Sequence, residues 1–323
     1  MDLPIPAPVL GLLVRVVARW TFASGADWPV VRRRVDLTTE LSPRPSGTRL
    51  FYRQIAGLPV DLHVPRQARS DVAMLYLHGG GFATGSRRSH RALVARLAHA
   101  AHMTAFVPDY RLAPEHPCPA AFEDVIACYR DLVEKSEPRH IVVAGDSAGA
   151  ALALMLAIAI RDELDLPEPA ALVMICPPVD FDIEAIAQRV PVDKDPVLTV
   201  ALLRRFLTAY TEASTDTGSL KLPSRSLTGL PPLIVDAAGL DPLLEDARAL
   251  RDRAHAQGVP VNYAEHPGAG HVFHVMAGLT THANRAVDNL GRRLTSVLAI
   301  AATSAAAPTD RPVQTRCPWE GRQ

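Results

Sequence analysis

A serine with the setting of a nucleophile lies in the segment Gly145-Asp146-Ser147-Ala148-Gly149. The apolar run Ile141-Val142-Val143-Ala144 comes directly before it and a long helical pattern follows, so the segment predicts a strand, a sharp turn and a helix. A serine held on such a turn projects its hydroxyl above the end of a buried sheet. The five residues alone also fit an ordinary helix N-cap, so the assignment depends on the rest of the chain.

Three consecutive glycines follow the predicted strand Val72 to Leu77, in the segment His78-Gly79-Gly80-Gly81-Phe82. Glycine loses much conformational entropy on folding, so this turn must require bare backbone. Amides that point at the nucleophile would supply two donors to an oxyanion, and the amide of Ala148 would supply a third. A phosphate-binding loop would instead end in Gly-Lys followed by Ser or Thr, which this segment lacks. We interpret His78 as a structural residue of the turn.

A serine hydroxyl needs a base, and the base needs an acid to fix its tautomer. In serine hydrolases built on a parallel sheet, the acid and then the histidine follow the serine along the chain. Asp241 fits the acid because it follows the predicted strand Leu233 to Ala237 and precedes a helix. It equally fits a helix N-cap, with Pro242 at the first helical position. The other candidates, more typical of surface charges or helix starts, are Asp236, Glu245 and Asp246.

Three histidines follow the last predicted strand and are candidates for the base: His266, His271 and His274. The loop Gly268 to Phe273 is long enough to carry His271 across the sheet edge. His266 is too close to the strand end, and His274 is expected to begin the next helix. No pair of histidines has the spacing and carboxylate neighbours of a zinc site. Helix faces exposed to solvent are predicted for the remaining histidines, including His90, His99, His102 and His255.

Buried apolar runs that alternate with amphipathic helices predict an α/β fold, a parallel sheet with helices on both faces. An antiparallel pair of strands comes first. The predicted strands are Arg49 to Ile55, Leu58 to Val64, Val72 to Leu77, Met103 to Val107, His140 to Ala144, Ala170 to Ile175, Leu233 to Ala237 and Val259 to Glu265. The predicted helices of this core are Arg88 to His102, Pro119 to Glu134, Ser147 to Arg161, Leu243 to Gln257 and Leu279 to Ala299.

Three segments lie outside this alternation. Within residues 1–47, the stretch from Pro4 to Phe22 has apolar residues at helical spacing and predicts an amphipathic helix, whereas 35–47 is predicted to be loop. Asp2 stands where a signal peptide would be basic. Residues 181–229 interrupt the core, 48–300, with acidic turns, prolines and one helix from Thr199 to Tyr210. Residues 301–323 have no periodicity and are predicted to be disordered.

Composition narrows the class of partner. The 323 residues include 34 lysines and arginines and 34 aspartates and glutamates, so no net charge favours nucleic acid or an anionic membrane. The longest apolar stretches fall short of the roughly 18 residues of a membrane span. The cysteines lack paired spacing and are expected to be reduced and buried: Cys118, Cys128, Cys176 and Cys317. We expect a cytoplasmic protein that binds a small neutral molecule.

Four segments together resemble the hormone-sensitive lipase family of α/β-hydrolases, and the resemblance covers roughly residues 50–295. They are His78-Gly79-Gly80-Gly81, Asp109-Tyr110-Arg111-Leu112-Ala113-Pro114-Glu115, Gly145-Asp146-Ser147-Ala148-Gly149 and Asp241-Pro242-Leu243. The resemblance implies an α/β-hydrolase fold with a mostly parallel sheet, and a small helical cap made by residues 1–47 and 181–229. It implies Ser147, Asp241 and His271 as the catalytic triad. It also implies an oxyanion hole formed by the amides of Gly80, Gly81 and Ala148.

Two departures from the family pattern are visible. Cys176-Pro177-Pro178 stands where the family commonly has Ser-Pro, and Val272 follows His271 where glycine is usual. Neither change removes a catalytic atom.

The activity implied by the resemblance is that of a serine carboxylesterase acting on short- to medium-chain esters. We expect no cofactor or metal, and either a monomer or a homodimer is compatible with the sequence. A hydrolase of lactones, amides or acetylated metabolites is an alternative within the enzymes. A ligand-binding protein is the alternative outside them, because plant gibberellin receptors resemble this family but lack the histidine that His271 supplies here. The candidate substrate-binding residues are Phe82, Phe206 and Tyr210, with Phe22 and Trp28 as further cap residues.

Overall fold

One eight-stranded sheet organises the chain, whose computed structural model describes residues 7–40, 42–135, 140–190, 194–214 and 217–305. Its strands are β1 (Thr48–Ile55), β2 (Leu58–Pro65), β3 (Arg69–Leu77), β4 (Met103–Pro108), β5 (His140–Asp146), β6 (Ala171–Ile175), β7 (Leu233–Ala238) and β8 (Val261–His266). Their order across the sheet is β1-β2-β4-β3-β5-β6-β7-β8. β2 pairs antiparallel with β1 and β4, and the other pairs are parallel, which confirms the mostly parallel sheet.

Helices cover both faces of the sheet, as the alternating pattern predicts. The helices are α1 (Ala7–Thr21), α2 (Trp28–Glu40), α3 (Arg91–Ala101), α4 (Ala120–Lys135), α5 (Ala148–Asp162), α6 (Ile183–Arg189), α7 (Val200–Thr211), α8 (Leu244–Ala256) and α9 (Thr281–Ala305). One apolar cluster packs α4, α5 and α8 on one face, and a second packs α3 and α9 on the other. Strands β3 to β7 are buried between them, so their continuous apolar runs follow from burial on both sides.

The prediction of a loop over residues 35–47 is wrong for its first part, because α2 continues to Glu40. Three consecutive arginines, at positions 32–34, hide the helical periodicity of α2. Arg32 is held by distant groups: its guanidinium donates to the carboxylate of Glu115 and to the carbonyl oxygens of Ala83 and Ala113. Val31 on the same helix is fully buried. Tertiary contacts therefore stabilise a helix that local propensity does not reveal.

The N-terminal and inserted helices lie together. Arg205 of α7 donates to the carbonyl oxygens of Phe22, Ala23 and Ala26, and its guanidinium lies 4.4 Å from the Trp28 ring centroid.

Helix α6, which is only one to two turns long, was not predicted. Its N-terminus is capped by Asp182, whose carboxylate accepts from two backbone amides.

Helix α1 is amphipathic, as predicted, but its apolar stripe is only partly covered. The exposed side chains are Leu12, Leu13, Val16, Val17 and Trp20, each more than two fifths exposed. In the part of the chain that is described, no helix is both long and apolar enough to cross a bilayer.

Helix α9 extends through residues 301–305, which were predicted to be disordered, and residues 306–323 lie outside the described part.

The N-terminus of α5 packs against the ends of β3 and β5 at a distance that excludes side chains. A Cβ atom on Gly149 would lie 1.9 Å from the carbonyl oxygen of Leu77, and one on Gly145 would lie 2.4 Å from the carbonyl carbon of Gly149. Both contacts are with backbone, which cannot rotate away. Glycine is therefore required at both positions by close approach.

Gly149→Ala should lower the free energy of unfolding by at least about 2 kcal/mol, because the added methyl group must displace β3 or α5. Urea unfolding followed by circular dichroism would measure it. Gly11→Ala in α1 is the control, because nothing lies within 4 Å of its added Cβ and alanine favours a helix. Equal stability of Gly149→Ala and the parent chain would contradict the packing described here.

Candidate active site

Ser147 lies on the turn between β5 and α5. Its φ of 49° and ψ of −123° are outside the region that non-glycine residues ordinarily adopt. The amide of Ser147 donates to the carbonyl oxygen of Ile175 at the end of β6, at 2.8 Å. The predicted strand, turn and helix are all present, and the strained turn directs the serine into a cavity beyond the strand ends.

A continuous line of hydrogen bonds joins Ser147, His271 and Asp241. The Nε2 atom of His271 lies 2.9 Å from the Ser147 hydroxyl oxygen, and its Nδ1 atom lies 2.7 Å from Oδ2 of Asp241. The other carboxylate oxygen of Asp241 accepts from the amide of Leu243 at 2.9 Å. Asp241 is therefore the partner of the histidine and binds the turn that precedes α8, whereas the N-cap of that helix is Leu243, so the helix-cap interpretation is wrong. Such a line can move a proton from the serine to the imidazole.

The environment of His271 favours its charged form. Burial of the ring acts to lower its pKa, but the charge and the hydrogen bond of Asp241 outweigh burial, so the pKa of His271 is raised above 6.5. Asp195 and Asp146 act in the same direction. An imidazolium formed by proton transfer would therefore be stabilised where it stands.

The glycine turn places backbone beside the serine. Gly80 and Gly81 adopt φ values of 118° and 60° and line the same cavity as Ser147 and Ala148. A Cβ atom on Gly81 would lie 2.2 Å from the ring of Phe206, so only glycine fits there. The amide of Ala148, at the first position of α5, has no intrahelical acceptor. These amides have the surroundings that an oxyanion requires.

Asp146 connects the glycine turn after β3 to the strained turn that carries Ser147, which we call the elbow. Its Oδ1 accepts from the hydroxyl of Tyr76 at 2.8 Å and from the amide of Gly79 at 3.1 Å, and its Oδ2 accepts from Nε2 of His90 at 3.2 Å. His90 is buried, so the prediction that it lies on a solvated helix face is wrong. Its partner is 56 residues away, which no local pattern reveals.

His78 has the structural role that we expected. Its Nδ1 donates to the carbonyl oxygen of Gly79, and its ring stacks on Tyr110 with centroids 4.2 Å apart. Complete burial lowers the pKa of His78 to about 4, helped by neighbouring His90, so its imidazole is neutral at pH 7.

Two of the alternative acids are buried in other networks, so neither is a surface charge, although Asp246 lies in the first turn of α8, as a helix-start residue would. Asp236 accepts from Nε2 of His266 and of His274, each at 3.1 Å, and from the guanidinium of Arg293. Asp246 accepts from the amides of Val179 and Asp180. Glu245 is half exposed and pairs with Arg248, as expected for a surface charge. Asp241 is the member of the four that contacts His271.

The alternative bases are also engaged. His266 ends β8, and His274 lies in a short 3-10 helix (Phe273–Met276) instead of beginning α9. With Asp236 they form a compact set of metal-type ligands, which the sequence did not anticipate. The Arg293 guanidinium already neutralises that carboxylate, so a cation would be repelled. Burial also lowers the pKa of His274 to about 3, as expected for a neutral hydrogen-bond donor.

The two departures from the family pattern contact each other. The amide of Val272 donates to the Sγ atom of Cys176 at 3.4 Å. Val272 has a φ of 46°, which is unusual for a β-branched residue, and is buried. A sulfur acceptor and a valine donor thus replace a serine and a glycine beside His271.

Among the described cysteines, Cys118, Cys128 and Cys176 are buried and form no disulfide, and Cys317 lies outside the described part of the chain.

An apolar cavity of about 370 Å³ opens above Ser147. Phe82 and Phe206 line it, together with side chains of α1, α2, α6 and α7. Tyr210, a predicted substrate-binding residue, stacks behind Phe82 with ring centroids 4.0 Å apart and is outside the cavity wall. Phe22 lines the cavity, whereas Trp28 supports Phe206 from behind, at 5.6 Å between centroids.

A mostly parallel sheet with a serine elbow, and with a histidine and an aspartate from later loops bonded to that serine, has the architecture of an α/β-hydrolase. A family model described as alpha/beta hydrolase fold matches residues 74–275. The chain is 39% identical to an acetyl-hydrolase of Streptomyces hygroscopicus, over 70% of this chain and 76% of the relative. It is 31% identical to the carboxylesterase NlhH of Mycobacterium tuberculosis, over 82% and 88%.

A crystal structure of an esterase from the bacterial hormone-sensitive lipase family aligns with a TM-score of 0.81 and 31% identity, over 89% of this chain and 98% of that one. The chain belongs to the hormone-sensitive lipase family of α/β-hydrolases.

Asp241→Asn should reduce kcat about 10⁴-fold, because an amide stabilises the wrong imidazole tautomer and no imidazolium. Loss of the anion also removes the main influence that raises the pKa of His271, so the acid limb of kcat/KM should move to lower pH. A pH series of initial rates would measure both effects. Glu245→Gln on the neighbouring helix is the control and should resemble the parent. An unmoved acid limb in Asp241→Asn would contradict the assignment.

Proposed function

We propose that this chain is a serine carboxylesterase that hydrolyses short- to medium-chain esters through an acyl-enzyme. The observation that carries the proposal is the hydrogen-bonded line from Asp241 through His271 to Ser147, ending in an apolar cavity beside a glycine turn. The names of the relatives, acetyl-hydrolase and carboxylesterase, support ester hydrolysis.

The chemistry proceeds in two halves. In the first, Nε2 of His271 removes the proton of Ser147 as the serine oxygen attacks the ester carbonyl carbon. The amides of Gly80, Gly81 and Ala148 hold the developing oxyanion. The tetrahedral intermediate collapses, the alcohol leaves with the proton from His271, and the acyl group stays on Ser147.

In the second half, His271 accepts a proton from a water molecule that attacks the acyl carbonyl. Collapse of this second intermediate releases the carboxylic acid and restores the Ser147 hydroxyl. Throughout, Asp241 keeps the Nδ1 proton in place and compensates the charge of the imidazolium.

The cavity indicates a neutral, apolar acyl or alcohol group. The side chains of Leu13, Ile186, Leu202 and Phe206 form much of its wall, and no lysine or arginine of the described chain lines it. A volume of about 370 Å³ is at the small end of ligand pockets. Acetylated metabolites are the second candidate substrates, because one relative is named an acetyl-hydrolase. A panel of simple esters, lactones and acetylated alcohols distinguishes the two.

Three further parts of the proposal concern organisation. We infer that residues 1–47 and 181–229 form a cap, supported by the contacts of Arg205 with the carbonyl oxygens of Phe22, Ala23 and Ala26. Location in the cytoplasm and a monomeric or homodimeric state stay predictions from the sequence.

Ser147→Ala should abolish hydrolysis of p-nitrophenyl butyrate and labelling by a fluorophosphonate, because both need the serine oxygen. The residual rate should be at most about 10⁻⁴ of the parent. Ser42→Ala is the control, because Ser42 lines the same cavity but does not contact His271. Full activity of Ser147→Ala would refute the assignment, and tight binding of an ester without turnover by the parent would favour a ligand-binding protein.

Phe206→Leu should shift the preference toward longer acyl chains, because Phe206 lies against the glycine turn and closes the cavity there. Each methylene newly buried contributes about 0.8 kcal/mol, so the decanoate-to-butyrate ratio of kcat/KM should rise at least about four-fold. Initial rates on a series of p-nitrophenyl esters give this ratio. Phe51→Leu on β1, outside the cavity, should leave it unchanged. A falling ratio in Phe206→Leu would place the acyl chain elsewhere.

A further inference from the structure

A second buried carboxylate lies beside the candidate base. Asp195, in the segment between β6 and β7, is 1% exposed. Its Oδ1 accepts from the amides of Val197 and Leu198 at 2.7 and 2.9 Å. Its Oδ2 accepts from the backbone amide of His271, 76 residues later in the chain. Within the ranges that the structure describes, no lysine or arginine forms an ion pair with it.

This arrangement is unusual for a buried carboxylate, which is ordinarily paired with a cation. Three backbone amides partly replace water around Asp195, and the remaining stabilising group is the imidazole of His271. Burial raises the pKa of Asp195, and the charge of His271 opposes that rise. A carboxylate in this position gains most when His271 carries a proton, which is the condition reached during proton transfer from Ser147.

The backbone around His271 is shaped to admit this contact. A Cβ atom on Gly270 would lie 2.7 Å from Cδ of Pro196 and 3.3 Å from Oδ2 of Asp195. A side chain at position 270 would therefore force the inserted segment away from the histidine loop. The glycine before the base and the aspartate of the insertion fit each other sterically as well as by hydrogen bonding.

We propose that Asp195 is a positioning residue for His271: its carboxylate fixes the backbone of the base and adds a second negative charge that stabilises the imidazolium. The proposal rests on the proposed esterase function. Asp241 orients the imidazole ring through Nδ1, whereas Asp195 holds the main chain that carries the ring, so the two carboxylates have separate tasks.

Several other groups face His271 and must be considered with Asp195. Asp241 follows β7, Asp146 and Ser147 belong to the elbow, Cys176 follows β6, and His274 shares the turn. Asp146 is already bonded to His90, Tyr76 and Gly79. Burial, and then the charge of Asp241, raises the pKa of the Cys176 thiol, so it is uncharged at neutral pH. Asp195 is thus the anion besides Asp241 that is bonded directly to His271.

The same carboxylate also shapes the substrate cavity. Val197 and Leu198, whose amides it binds, both line the wall. The position of the base and one side of the acyl pocket therefore depend on one side chain.

Asp195→Asn tests the proposal. The amide keeps the size of the side chain and can still accept from Val197 and Leu198, but its NH₂ group then faces the His271 amide, donor against donor. We expect kcat for p-nitrophenyl butyrate to fall about ten- to a hundred-fold with KM changed less than about three-fold. The acid limb of kcat/KM should move to lower pH, because one anion near the imidazole is lost.

Asp246→Asn is the matched control. Asp246 is similarly buried and also accepts from two backbone amides, those of Val179 and Asp180, but its cation is Arg189 and it does not contact His271. This variant should lose stability while keeping the parent pH profile. A purely structural role of Asp195 would give the two variants the same behaviour, and that result would overturn the proposal.

Gly270→Ala is the second variant if Asp195→Asn does not fold. It pushes the segment that carries Asp195 away from the loop that carries His271, without changing a charge. It should also lower kcat about ten-fold or more and shift the acid limb to lower pH, because Asp195 is pushed away from the base. Parent kcat and an unmoved limb in either folded variant would refute the proposal. Fluorophosphonate labelling of the parent keeps the two questions apart: an unlabelled parent rejects the esterase function, and a labelled, active parent with an unaffected Asp195→Asn rejects only the role of Asp195.

Discussion

The buried carboxylate of Asp146 joins the glycine turn after β3 to the elbow at Ser147, and the site depends on both of these backbone segments. Asp146 ends β5 one residue before the serine, and it accepts hydrogen bonds from Tyr76 of β3, from Gly79 of the glycine turn and from His90 next to α3. A buried carboxylate without such donors would be strongly destabilising, so the donors and the acceptor fix one another. The turn and the elbow consequently keep one separation, which the proposed oxyanion hole requires because its amides must converge on a single oxygen.

The sheet was predictable because its signal is local. A strand buried on both faces reads as a continuous apolar run, and the strands β3 to β7 do so. Helix α2 was not predictable, because the Glu115 carboxylate that holds Arg32 is 83 residues away and three adjacent arginines obscure the helical period. Chain order likewise indicated Ser147, Asp241 and His271 as neighbours. It gave no sign that His90 and Asp236 would be buried, because that depends on partners distant in sequence.

The substitutions that distinguish this chain from its family pattern occur as a contacting pair. A larger, weaker acceptor at Cys176 stands opposite the amide of Val272, which occupies a backbone conformation that favours glycine. Each change considered alone looks unfavourable, since one weakens a hydrogen bond and the other strains the backbone. Side by side they leave His271 bonded to both Ser147 and Asp241. Sequence comparison at single positions does not reveal that the two residues contact each other.

The contact between Asp195 and the histidine loop limits how this architecture can diverge. The segment between β6 and β7 contributes Ile186, Leu202 and Phe206 to the pocket wall, so its exchange for that of a relative would change the shape of the pocket. Such a chimera would also replace Asp195, whose carboxylate accepts from the backbone amide of His271, the proposed base. Exchange of the whole segment would therefore alter the pocket shape and the support of His271 at the same time. Substitution of individual wall residues, one at a time, can change the pocket shape alone.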